Sequence, residues 1–155
     1  MADPLIAIKK TLINEGGYVN DLNDAGGETN MGISKKQFPN LDIKNLTQDQ
    51  AVQIYRDGYW KPLYSQISDQ HIADKLFDIG VLFGVATTVK LLQTALRTTV
   101  DGIFGAATLA AVNTAEPVSL LASFKTALVG HALAVVQANP QDRAFFAGWV
   151  RRINS

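Results

Sequence analysis

The sequence predicts a mainly α fold: a helical bundle with one small β-hairpin set beside its first helix. Three observations carry that expectation. Apolar residues recur at three- and four-residue spacings through most of the chain. A single stretch, residues 18–34, is rich in Asn, Asp and Gly and holds the short alternation Thr29, Met31, Ile33, which suits an irregular hairpin. Hydrophobic residues make up 47% of the 155, enough to bury a sizeable core.

Taken in order, Leu5, Ile8, Leu12 and Glu15 fall on one stripe of a first helix, which Gly16-Gly17 stops. Thr47 with Gln50 reads as a capping box, opening a helix that runs towards Trp60, before Pro62. Ser68 is expected to cap the next helix. There Ile72, Leu76, Phe77, Ile79, Leu82 and Phe83 leave little polar surface, so it is central and buried. Val85 to Leu96 continues the pattern after Gly84, and a turn follows at Asp101-Gly102 with Gly105 and Thr108 behind it. Residues 118–137 and 141–153 form two more helices, separated at Asn139-Pro140. The most apolar stretch, Val118 to Val136, is broken by Lys125 and His131. It reads as a buried helix rather than a membrane span.

Composition removes several function classes. Lys+Arg and Asp+Glu both total 14, which argues against a broadly basic nucleic-acid binder. Without cysteine there is no disulfide framework, thiolate zinc site or cysteine nucleophile. His71 and His131 stand sixty residues apart, without ligand-like spacing, so no metal site is expected. The opening MADPLIAIKK has neither a basic leader nor a long apolar core, and no secretory signal is read there. Charge is uneven: residues 1–117 carry a net −3 and residues 118–155 a net +3. Residues 141–153 set Phe145, Phe146, Trp149 and Val150 beside Arg143, Arg151 and Arg152. That is a packed helix, or one that makes transient contact with an anionic membrane.

Chemistry concentrates between Glu15 and Gly32. Four acids, Glu15, Asp21, Asp24 and Glu28, occur there with no Lys or Arg. The ligand order of a calcium-binding EF-hand does not fit. Glu15 ends an apolar stripe at a helix C-terminus, where burial and the helix dipole both disfavour its charge, as a general acid requires. Asp24 and Thr29 lie on the hairpin opposite. A glycosidase needs an acid for the leaving oxygen and a second group to stabilise the oxocarbenium or hold water. Read alone, Asp24 is a turn residue and Thr29 a strand former. Tyr18 and Asn20 are candidates for sugar contacts, or for packing and capping the hairpin. Tyr55, Tyr59, Trp60 and Tyr64 include faces suited to pyranose rings, most of them expected in the core; Tyr59 and Trp60 are the substrate-binding candidates.

The segments EGGYVND, GGETNMGIS, LDIKNLT and YRDGYWKPL resemble glycoside hydrolase family 108, the N-acetylmuramidases of phage endolysins and of bacterial holin-linked secretion systems. LLQTALRTTVDGIFGAATLAAV resembles the predicted peptidoglycan-binding segment that accompanies this family, and DRAFFAGWVRRI its closing helix. The resemblance spans roughly residues 5–153 and implies an α+β lysozyme-like fold. It implies a catalytic lobe over residues 1–85 and a helical peptidoglycan-binding-like lobe over 86–155. Glu15 matches the family's catalytic glutamate, and Asp24 and Thr29 its second acid and threonine. The implied substrate is bacterial peptidoglycan, cleaved without a cofactor by a monomer that reaches the wall through a holin or a secretion route. One departure stands out: in the stretch from Phe77 to Gly84 an apolar pair replaces a polar position of the family's helix. A lytic transglycosylase and a non-catalytic peptidoglycan-binding module are the rival readings.

Overall fold

The computed structural model describes residues 1–20 and 27–155. Helix α1 runs Pro4–Glu15. Asp3 caps it by accepting the Leu5 N–H at 2.8 Å, and Pro4 takes the first turn, where its missing N–H costs nothing. Gly16 ends it with φ +77°. The buried face is Ala7, Ile8, Thr11 and Leu12, with half-buried Glu15 continuing it. Leu5, expected on that stripe, is 44% exposed because it lies at the rim of the face.

The hairpin is a three-stranded antiparallel sheet, β1 Val19–Asn20, β2 Glu28–Asn30 and β3 Ile33–Ser34, in that order. Val19 pairs with Thr29, and Thr29 with Ser34. Met31 and Gly32 join β2 to β3 with φ of 50° and 74°, the doubly left-handed turn that matches strand twist.

Helix α2, Gln48–Tyr59, opens with the expected capping box. The Gln50 N–H donates to Thr47 Oγ1 at 3.3 Å, and the Thr47 N–H to Gln50 Oε1 at 2.9 Å. A 3₁₀ turn over Pro62–Gln66 leads to α3, Gln70–Phe83. Asp69, not Ser68, caps α3, taking the Ile72 N–H at 3.1 Å. The Ser68 N–H is engaged elsewhere, donating to Asn113 Oδ1 at 2.9 Å. Residues Ile72 to Gly80 are all buried, so α3 is the central helix, against which α1, α2 and α4 (Val85–Leu96) pack. Its polar members Asp74, Lys75 and Asp78 are buried with the rest and therefore need partners.

Helix α5 spans Ala106–Thr114, α6 Pro117–Ala138, and α7 Arg143–Asn154 after a 3₁₀ turn over Pro140–Asp142. At 22 residues and a mean hydropathy of 1.6, α6 is long and apolar enough to cross a membrane. It was expected to be buried. It buries one stripe, Leu120, Phe124, Leu128, Ala132 and Val136, and leaves Val118 and Leu133 exposed. Every-fourth-residue spacing keeps that stripe on one side, where it meets α4 and α7. On α7, Ile153 is buried and Phe146 and Trp149 pack on the core, while Phe145 is exposed. Lys75 Nζ donates to the Arg152 carbonyl at 2.8 Å and Lys125 Nζ to that of Asn154 at 2.9 Å, so α3 and α6 both hold the last turn of α7.

Candidate active site

The end of α1 delivers Glu15 to a cleft of about 470 Å³ bounded by the β2–β3 turn and α2. Gly32, Ile33, Phe38, Tyr55 and Tyr59 share its walls. The Glu15 side chain is only 17% exposed. Its Oε1 accepts from Arg152 Nη2 at 2.6 Å. Arg152 in turn grips Asp78 with two donors, Nε to Oδ2 at 3.0 Å and Nη2 to Oδ1 at 2.9 Å. Burial opposes the Arg152 charge, but Asp78 and then Glu15 more than offset it and hold the guanidinium above its ordinary pKa. Burial and the helix end, both legible in the sequence, act against the Glu15 charge; the fold sets against them a cation at contact distance.

The turn is fitted closely around this carboxylate. A Cβ at Gly32 would lie 2.6 Å from Glu15 Oε2 and 3.1 Å from Glu15 Cβ, and would also collide with the Tyr55 hydroxyl. Gly32 is thus required both by its positive φ and by space. The Tyr55 hydroxyl donates to the Met31 carbonyl at 2.9 Å. Burial first, and the Glu15 charge second, push the Tyr55 phenol up, so it remains a neutral donor.

The other sequence candidates are placed as follows. Asp24 lies outside the described residues. Thr29 sits half-buried in the middle of β2, its hydroxyl donating to the Gly27 carbonyl at 3.3 Å. The Tyr18 hydroxyl donates to Glu28 Oε1 at 2.9 Å, a contact that raises its pKa and occupies it across the hairpin. Asn20 is exposed on β1 opposite Glu28. Tyr59 stands in the cleft, its ring 5.8 Å from that of Tyr55. Trp60, the other substrate-binding candidate, belongs to the core. It is 9% exposed, packs on Tyr64 and Phe77 at 5.6 and 5.7 Å, and its indole N–H donates to Ser65 Oγ at 3.0 Å. It follows the last residue of α2, where the chain turns inward.

Arg152, Asp78, Gly32 and Phe38 were not among the sequence candidates. Asp78 carried one available signal, a carboxylate between Phe77 and Ile79 on a helix otherwise too apolar to face water. A second cavity, of about 330 Å³, lies behind Asp78 among α1, α3 and α6. There Lys10 pairs with Asp74, and burial lowers the Lys75 ammonium pKa to about 8. Its charged groups are engaged within the fold, Lys10 with Asp74, Lys75 by the Arg152 carbonyl and Asp78 by the Arg152 guanidinium, whereas the Glu15 cleft sets an acid beside two aromatic faces.

The family model described as Glycosyl hydrolase 108 matches residues 8–84, and that described as Predicted Peptidoglycan domain matches residues 87–154. A solved structure titled "Structure of Brucella abortus SagA" is similar at 28% identity with a TM-score of 0.77, covering 97% of this chain and 89% of that one. The expected mainly α, lysozyme-like architecture is the one found. No curated protein matches the chain.

Proposed function

This chain belongs to the glycosyl hydrolase 108 family, with a peptidoglycan domain following the matched segment, and is a glycoside hydrolase acting on peptidoglycan; from that premise we propose that it is an N-acetylmuramidase cleaving the β-1,4 bond between N-acetylmuramic acid and N-acetylglucosamine. The observation that carries the reading is the Glu15 carboxylate, fixed at the wall of a cleft whose other walls include Phe38 and Tyr59. Aromatic faces of this kind suit the apolar side of a pyranose ring.

In this mechanism the protonated Glu15 gives its proton to the glycosidic oxygen as the bond from C1 to that oxygen breaks. Positive charge then develops on the sugar left behind. Asp24 stabilises that charge or orients the attacking water, and Thr29 helps hold the water. The water adds to C1 and its spare proton passes to a carboxylate, leaving a reducing N-acetylmuramic acid. Release to the wall through a holin or a secretion route belongs to the same reading.

The test is mass spectrometry of soluble fragments from purified peptidoglycan digested by wild type and Glu15→Gln. Reducing-end N-acetylmuramic acid is expected from the wild type, with turnover by the variant lower by about 10²–10⁴-fold. Anhydro ends would mean a lytic transglycosylase, and reducing N-acetylglucosamine a glucosaminidase. Unchanged turnover by Glu15→Gln would remove Glu15 from the chemistry.

A further inference from the structure

The partner of Glu15 comes from a part of the chain that a different family model describes. Arg152 lies in the segment 87–154, Glu15 in the segment 8–84, and 137 residues separate them. Both side chains are largely shielded from water, at 13% and 17% exposure, and Asp78 is at 10%. Charge-assisted contacts in such surroundings are short and directional. A planar guanidinium that Asp78 grips through Nε and Nη2 has little freedom left, and its remaining reach falls on one oxygen of Glu15.

The two carboxylate oxygens of Glu15 therefore have different surroundings. Oε1 is bound by Arg152. Oε2 faces the Gly32 turn and the Tyr55 hydroxyl at the cleft wall. We propose that Arg152, held by Asp78, is a positioning residue for Glu15: it fixes Oε1 and leaves Oε2 as the oxygen that hands its proton into the cleft. The segment matched as a peptidoglycan domain thereby completes the catalytic centre of the segment before it. This rests on Glu15 being the general acid.

The electron balance favours the same arrangement. Two carboxylates share one guanidinium, so a proton on Glu15 leaves Arg152 still paired through Asp78. When the Oε2–H bond breaks and the proton joins the glycosidic oxygen, its electron pair spreads over the carboxylate. The new negative charge then reaches Oε1, where Arg152 already stands. A dipole or charge in place before the reaction stabilises developing charge without reorganising. Among the described residues, the Tyr55 and Tyr59 phenols of α2 line the cleft with Glu15, and Asp78 of α3 stands on the other side of the shared guanidinium.

The experiment compares wild type, Arg152→Ala, Arg152→Lys and Glu15→Gln in initial rates over a range of purified peptidoglycan concentrations. Thermal melting of each protein is measured in parallel. Arg152→Ala is expected to lose about 10–100-fold in kcat, the scale of a misplaced catalytic group, with KM little changed. Arg152→Lys, which keeps the charge without the fork, recovers part of that loss, and millimolar guanidinium ion restores part of it to Arg152→Ala. A folded Arg152→Ala with wild-type kcat, or with its whole loss in KM, overturns the proposal. Should Arg152→Ala not fold, Arg152→Lys carries the test, and wild-type kcat in that variant overturns the proposal equally. Activity retained by Glu15→Gln strikes the general-acid reading instead, so the two failures are distinguishable.

Discussion

Replacing Gly32 by alanine asks the most of the geometry around Glu15. Its φ of +74° belongs to the left-handed region, which costs an L residue about 1–2 kcal/mol. In a chain of this length that corresponds to a melting point lower by about 2–8 °C. The added methyl would sit 2.6 Å from Glu15 Oε2, against an ordinary contact of 3.4 Å, so the carboxylate must retreat by about 0.8 Å. Rotating the side chain does not fully relieve this, because Glu15 Cβ is itself only 3.1 Å away. A displacement near 1 Å in a reacting group costs on the order of 10²-fold in rate. Clearing of a cell-wall suspension at saturating substrate is therefore expected to slow by about that factor, well beyond what the lost stability explains at 25 °C. A folded Gly32→Ala that clears walls at the wild-type rate would refute the assignment of Oε2 to the cleft.

Two further outcomes follow from buried polar groups. Gln93 is 1% exposed and accepts the N–H groups of Asp101 and Gly102 at 3.1 and 2.9 Å while donating to Asp101 Oδ1 at 2.7 Å. Gln93→Leu strands these partners and should lower stability by roughly 2–4 kcal/mol, read from the denaturant midpoint; a loss below about 0.5 kcal/mol would contradict the network. Burial holds Lys75 at about 8 against an ordinary 10.5, so its folded pKa is depressed. The stability linked to that depression is complete above pH 10.5 and is lost as pH falls through 8. Compared at successive pH values, the melting point of Lys75→Met should gain on wild type between pH 10.5 and 8, and a constant difference would show that the lysine does not titrate there.

Features decided within a few residues were legible in the sequence. The Thr47–Gln50 box and the Gly16 stop are of this kind, because donors and acceptors lie within one turn of each other. The choice between Ser68 and Asp69 as cap was not local: Asn113, 45 residues on, takes the Ser68 N–H. Nor could spacing decide between Tyr59 and Trp60. Neighbouring residues at a helix end point in different directions, and only the packing of Phe77 and Tyr64 shows which ring enters the core. The second hairpin escaped notice because Met31-Gly32 lacks the Asn or Asp that usually marks such a turn. Glu15 was legible as the end of a stripe. Its partner was not, since one arginine among the three of a net-positive segment carries no sign of which acid it will meet.

The Glu15–Arg152 contact also sets an order in time. A ribosome adding about 5–20 residues per second needs on the order of ten seconds to travel the 137 residues between the two. Throughout that interval the acid of the cleft has been made and the guanidinium that binds it has not. Each newly synthesised molecule therefore passes through a stage in which its wall-cutting centre is assembled on one side only, and it acquires the other side with the emergence of α7.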